Sequence, residues 1–304
     1  MHYEFILSYY KQLGDLVLTQ PLLTRLSDQS GSKVGVICRP KFAPLIQLMK
    51  GDLDLIRLGG PWISCNKLVC ADLGSRAASR SVFVRSKEKF ALCRKREKLG
   101  TWHKIGGFRH LIPAGPDMYR AHWLEKSITG TVNDPDMGPG LIKPPLDWHK
   151  SMFEGADVIL HLTAAWKRKY WPNEHWVKLI HLLKVNGFRK ILISGGASEC
   201  EQSVVKEVVG MARSREVSSV GELNLKQFIA LMSLDVPVIT VDGAAAHLGR
   251  AFGNKVLVLF GETNARQWHL PSPQSIALCS EDKRMESLLP EGVADSFFKM
   301  AGTS

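Results

Sequence analysis

Three stretches decide how this chain folds: Ser194-Gly195-Gly196, Val241-Asp242-Gly243-Ala244-Ala245-Ala246-His247 and Leu259-Phe260-Gly261-Glu262-Thr263. Each is an apolar run that ends in glycine, acid or hydroxyl residues. In a parallel α/β sheet, ligands bind in the crevice beyond the carboxyl ends of the strands. The second run passes directly into small residues and then a predicted helix. Small residues there let backbone N–H groups and the positive helix end approach an anion closely. The C-terminal half therefore reads as built to hold a phosphorylated ligand.

Working outward, the same strand–helix alternation fills the chain. Phe5 to Leu7 reads as a buried strand, and Leu16 to Leu26 as a helix that Pro21 either kinks or restarts. Val34 to Cys38, Leu53 to Ile56 and Lys67 to Cys70 read as further strands, with a helix over Phe42 to Met49. Asn133 to Pro145 is dense in Pro and Gly and is the natural linker. After it, Asp157 to Leu160 restarts the alternation. Pro172 suits the first position of a helix that Gly187 ends. Lys190 to Ser194, Val236 to Val241 and Lys255 to Phe260 follow as strands. Each half is thus a Rossmann-like α/β unit with a parallel sheet.

Composition excludes several classes. The chain has 304 residues, 45% hydrophobic and 23% charged, as in an ordinary soluble two-domain protein. No apolar run approaches the roughly 18 residues of a membrane span. The N-terminus lacks the basic region of a signal peptide. Six scattered cysteines without a C-x-x-C pair argue for reduced thiols and against structural zinc. No G-x-G-x-x-G, Walker A, G-x-S-x-G or H-E-x-x-H motif occurs, which removes support for dehydrogenase, P-loop, α/β-hydrolase and zincin readings. Charge is uneven: from Arg76 to His110, eleven Lys/Arg face only Glu88 and Glu97, which is +9 of the chain's +11. Such a field attracts nucleic acid, phospholipid headgroups or an acidic substrate.

Candidate site residues lie at the predicted strand ends. Asp15, in the Leu13-Gly14-Asp15 turn after the first strand, reads either as a general base or as a helix cap. Trp166-Lys167-Arg168-Lys169-Tyr170-Trp171 sets three cations beside two tryptophans, which suits a diphosphate; the alternative is a solvated loop pinned by Trp171. Glu199, after Gly195-Gly196, reads as a ribose contact or as a complement to a helix dipole. His247 reads as a ligand contact or as a packed histidine. Gly261 and Thr263 help to wall the nucleotide pocket.

These residues occur in a familiar order. L-G-D-L-V-L-T-Q-P-L-L (13–23), A-D-L-G-S-R-A-A-S-R (71–80), K-R-K-Y-W-P-N-E-H-W (167–176), V-D-G-A-A-A-H-L-G-R-A-F-G (241–253) and L-F-G-E-T (259–263) resemble the ordered motifs of the bacterial heptosyltransferase family, glycosyltransferase family 9. Ala164-Ala165-Trp166 departs from the hydroxyl-rich run that often precedes the family's lysine. The resemblance implies a GT-B fold, with two Rossmann-like domains whose parallel sheets face a central cleft. Residues 1–145 would be the acceptor-binding domain and 146–304 the donor-binding domain, with the last helix able to pack back on the first. It further implies an inverting, metal-independent glycosyltransferase that moves heptose from an ADP-linked nucleotide-diphosphate sugar to a lipopolysaccharide core-type acceptor. No cofactor is needed beyond the donor substrate, and no metal residue is expected. Carried over by position, Asp15 is the base. Lys169, Glu199, Asp242, Gly243, Ala244, His247, Gly261 and Thr263 bind the donor, and Arg76 and Arg80 bind the anionic acceptor. The protein is expected in the cytoplasm, peripheral at the inner membrane, with no nucleic-acid partner. Two rival readings are a GT-B-like nucleotide-sugar epimerase and a non-enzymatic nucleic-acid-binding protein using residues 76–110.

Overall fold

The computed structural model describes residues 1–57, 62–71, 75–93 and 99–302. Asp72 to Gly74 of the second motif, and Arg94, Lys95, Arg96, Glu97 and Lys98 of the basic stretch, lie outside the described residues. The chain forms two compact units, Met1–Ile142 and Lys143–Ser304.

The first unit runs β1 (His2–Ser8), α1 (Leu13–Val17), α2 (Gln20–Ser30), β2 (Val34–Ile37), α3 (Ala43–Ile46), β3 (Leu53–Leu55), β4 (Ser64–Cys70), α4 (Ser75–Ser81), β5 (Arg85–Leu92), α5 (Thr101–Ile105), β6 (Arg109–Leu111) and α6 (Arg120–Thr129). Its six strands are all parallel, in the order β3-β2-β1-β4-β5-β6. β1 and β2 pair Ile6 with Gly35 and Leu7 with Val36, and nearly every residue of both strands is buried, as a centrally placed parallel strand requires. Pro21 does not kink one long helix. It sits in the first turn of α2, where its missing N–H costs nothing, so the chain makes two helices instead of one.

The second unit runs β7 (Val158–His161), α7 (Asn173–Val185), β8 (Ile191–Ser194), α8 (Glu199–Ala212), β9 (Val217–Ser219), α9 (Leu225–Met232), β10 (Val238–Val241), α10 (Ala244–Ala251), β11 (Val256–Phe260), α11 (Ala265–Trp268), β12 (Ser275–Cys279) and α12 (Pro290–Ala301). Its strands are again all parallel, in the order β12-β11-β10-β7-β8-β9. Counted from the first strand of each unit, the two sheets share one order, that of the doubly wound nucleotide-binding fold. In that order the chain reverses direction across the sheet between β1 and β4 in the first unit, and between β7 and β10 in the second. Those switch points are where such sheets open a ligand crevice.

The core on one face of the second sheet gathers Leu160, Ile193 and Leu257 from the strands with Trp176, Leu183 and Phe297 from the helices packed on it. The last helix, α12, belongs to this core through Val293, Ala294, Phe297 and Met300, and it packs along α7. Its apolar face is thus used within the second unit. Pro172 precedes α7 as its capping residue rather than its first helical residue. Gly187 closes α7 in the left-handed region (φ +91°), which a side chain adopts only under strain. Among the described residues no helix is long and apolar enough to cross a membrane, and no two cysteines are bonded to each other.

Candidate functional site

The switch point of the second unit brings Lys169, Asp242, Gly243, Ala244 and His247 of the sequence-predicted donor residues together. Lys169 ends a short helical turn after β7, and Asp242 follows β10 directly. The Lys169 ammonium donates to Asp242 Oδ2 at 2.5 Å and to the Asp242 carbonyl at 3.3 Å. Both side chains are largely buried, at 18% and 5% exposure, so this pair is far less screened than a surface ion pair. Two of the three ammonium protons are used in this way. An ammonium carries three protons, so a ligand oxygen can accept one more.

α10 starts at the same place. Gly243 caps it with an extended backbone (φ −174°), a conformation open to any residue. A Cβ at Gly243 would make only an ordinary contact, 3.4 Å from Ala164 Cβ. Neither backbone angle nor packing within the unit calls for glycine there. What glycine does is keep the amino end of α10 uncovered, where the first N–H groups of the helix have no partner within it. Ala244 is half-buried at the first helical position. His247 lies one turn further in, fully buried. Burial holds its pKa down to about 4, so it is a neutral imidazole at pH 7. Asp242 opposes that shift, while Lys169, His269 and Arg250 reinforce it.

The neighbouring loop is held by a network that sequence reasoning missed. Thr163 Oγ1 accepts from the Gly196 N–H at 2.8 Å and donates to Glu201 Oε1 at 3.3 Å. Glu201 Oε2 accepts from the Ser198 hydroxyl at 2.6 Å and the Ser198 N–H at 3.2 Å, which closes a capping box on α8. A Cβ on Gly196 would lie 2.0 Å from Glu201 Oε1, so glycine is required for this arrangement. Burial, with Glu201 nearby, pushes the Tyr170 phenol up to about 12. The signal was present as S-x-x-E at Ser198 to Glu201, the signature of a helix start. Glu199, which sequence reasoning chose, sits exposed at the first position of α8.

The remaining assignments separate into packing and surface. Trp171 and Trp176 are core: they meet edge-to-face at 4.9 Å, and Trp171 Nε1 donates to the Leu288 carbonyl at 2.9 Å. Trp166 is instead 55% exposed, with the Arg168 guanidinium 4.6 Å and the Lys169 ammonium 5.0 Å from its ring centre. Arg168 also pairs with Glu262 at 3.3 Å, which ties the β7 and β11 loops together. Gly261 answers a packing need, since a Cβ there would fall 3.0 Å from Met285 Sδ. Thr263 is half-buried in the same loop. Among the described residues, no group of three or more His, Cys, Asp or Glu is placed to hold a metal.

In the first unit, Asp15 stands at the third position of α1, just beyond the carboxyl end of β1. Its carboxylate accepts from the Gln12 N–H at 3.2 Å. It therefore does cap the helix, and it is half-buried at the switch point as well. Arg76 and Arg80 are both exposed on α4.

Residues 146–291 match the family model of glycosyltransferase family 9 (heptosyltransferase). That match falls within the C-terminal unit. The curated relatives match over shorter stretches. The chain is 30% identical to lipopolysaccharide heptosyltransferase 1 of Escherichia coli (strain K12) over 107 residues, 35% of this chain. That match spans about a third, 32%, of the relative's own length. Solved structures match along the whole chain. The glycosyl transferase family 9 from Veillonella parvula DSM 2008 has a TM-score of 0.80 at 16% identity, over 99% of this chain and 97% of that one. E. coli heptosyltransferase WaaC with ADP has a TM-score of 0.74 at 14% identity, over 100% of both chains. E. coli ADP-heptose lps heptosyltransferase II has a TM-score of 0.76 at 13% identity, over 100% and 98%. At these identities the likeness shows the fold, a GT-B arrangement of two parallel α/β units.

Proposed function

We propose that this protein is an inverting, metal-independent glycosyltransferase that moves heptose from an ADP-linked donor to a lipopolysaccharide core-type acceptor. The observation that carries the reading is the buried Lys169–Asp242 pair at the switch point of the unit that matches the family 9 model, beside the uncovered amino end of α10. A departing nucleoside diphosphate gains negative charge as its bond to the anomeric carbon breaks. The free proton of Lys169 and the first N–H groups of α10 stabilise that charge. Asp242 keeps the ammonium in place, while Gly243 and Ala244 leave room for the phosphates. Neutral His247 donates or accepts a hydrogen bond without adding a charge. Glu199 and Thr263 contact the ribose and the pocket wall, and Gly261 shapes that wall.

The reaction balances simply. The acceptor hydroxyl oxygen forms a bond to the anomeric carbon from the face opposite the diphosphate. The old carbon–oxygen bond breaks, and its electron pair leaves on ADP. The hydroxyl proton passes to Asp15. Base catalysis of this kind contributes about 100- to 10,000-fold. Arg76 and Arg80 meet acceptor phosphates or carboxylates. The protein works in the cytoplasm at the inner-membrane surface, without nucleic acid.

The test is to mix the purified protein with ADP-heptose and heptose-deficient lipopolysaccharide. One heptose of added mass, ADP release, inverted anomeric configuration and an unchanged rate in EDTA are expected. Sugar turnover in the absence of acceptor would instead support an epimerase. If neither transfer nor turnover occurs, the reading fails.

A further inference from the structure

We propose that the indole of Trp166 stacks on the sugar carried by the donor diphosphate, so that the site holds a nucleotide sugar more tightly than the bare nucleotide. Among the described residues of the second unit, Trp166 is the one Phe, Tyr or Trp left exposed, at 55%. A single exposed apolar side chain needs no explanation by itself. Trp166 is more than that, because of what surrounds it. Its ring centre lies 5.0 Å from the Lys169 ammonium, the group bound to Asp242. The Arg168 guanidinium stands 4.6 Å from the same ring, and Arg168 is itself paired with Glu262 on the β11 loop. A cavity of about 470 Å³ opens along Ala165, Trp166, Lys167 and Arg168. That is room enough for a small ligand, whose sites begin at about 300 Å³. Ala165 brings only a methyl group to it, which leaves the indole as the broad surface.

The inference rests on the proposed function, in which Lys169 and the start of α10 hold the diphosphate. In a nucleotide sugar the anomeric carbon is bonded to an oxygen of that diphosphate. The sugar therefore begins one bond from the group that Lys169 holds, and an indole 5.0 Å from that ammonium is within its reach. A pyranose carries hydroxyls at its rim and C–H bonds on its faces. Those C–H bonds are slightly positive and the face of an indole is negative, so the two stack. Adenine would also stack on an indole, but the ribose separates it from the diphosphate. The two cations attract the ring and are each anchored by a carboxylate, which orients the indole before the donor arrives. After transfer the bound ADP has no sugar to stack, so product leaves more readily than donor.

Isothermal calorimetry of the full chain with ADP-heptose and, separately, with ADP reads the difference. Wild type should bind ADP-heptose more tightly than ADP. Trp166→Ala should weaken ADP-heptose about five- to tenfold and leave ADP within about twofold. The retained ADP affinity also shows that the variant is folded. Trp166→Phe keeps an aromatic face and should recover most of the loss, whereas Trp166→Leu should not. Equal weakening of both ligands by Trp166→Ala would move the contact to the nucleotide and overturn the proposal. Unchanged binding of both, or a Leu variant as good as Phe, would overturn it too. Wild type that binds ADP but holds ADP-heptose no more tightly would overturn this proposal alone. Wild type that binds neither would overturn the proposed function with it.

Discussion

The two units share a strand order but furnish their switch points differently. In the second, the residues beyond β7, β8 and β10 hold one another: Lys169 on Asp242, Thr163 on Gly196 and Glu201, with His247 neutral beneath. In the first, Asp15 is tied to its own helix, and the arginines of α4 lie open to water. One half is a set of groups that hold one another in place. The other offers a carboxylate and a field of positive charge. A nucleoside diphosphate has one shape, and groups fixed in advance bind it without an ordering cost. An anionic glycan on a lipid surface is large and variable, and a charge field gathers it without a fitted pocket.

The largest expected effect tests the carboxylate. Asp15→Asn keeps an oxygen that can accept from the Gln12 N–H, so thermal stability should change little, by under about 0.5 kcal/mol. Transfer rate should fall about 100-fold or more while ADP affinity is unchanged. An equal loss of stability and rate would reduce Asp15 to a helix cap.

Next comes pH. His161 and His247 are both buried and held down to about 4. The unfolded chain binds protons at about 6.5, the folded chain only near 4. Between those values the unfolded state carries more protons, so this stability is complete above about pH 6.5 and is lost as pH falls towards 4. Each histidine contributes up to roughly 3 kcal/mol to that loss. Urea unfolding from pH 7 to 4.5 should show the second unit weakening before the first. A flat profile would mean that water reaches these imidazoles.

A smaller effect tests the loop network. Gly196→Ala drives a Cβ into the Glu201 carboxylate and should cost about 1–2 kcal/mol by breaking the capping box. In a Glu201→Ala background the same change should cost less, as measured by a double-mutant cycle. Equal costs in both backgrounds would show that the crowding lies elsewhere.

Much of this was legible in the sequence, for physical reasons that vary from place to place. β1, β2, β7, β8, β10 and β11 are buried on both faces and read as plain apolar runs. β5 was hidden because it is written Arg-Ser-Lys-Glu-Lys before its first apolar residue. Its Lys89 lays its stem inside, with the ammonium donating to the Val82 carbonyl at 3.1 Å and standing 5.7 Å from the Phe108 ring centre. Charge at the tip masked burial along the stem. At the site, Lys169 and Asp242 were visible as motif residues. Glu201 was marked only as the S-x-x-E of a helix start, and Thr163 not at all, because its task is to hold backbone and no chemistry marks a residue of that kind until the loops are in place.

Isothermal calorimetry of ADP with the full chain tests the central claim most directly. Wild type should bind ADP without any acceptor, and Lys169→Ala should lose at least about tenfold in affinity with its fold intact. Equal binding by Lys169→Ala, or no binding of ADP by wild type, would contradict an account in which the switch point of the second unit holds the diphosphate.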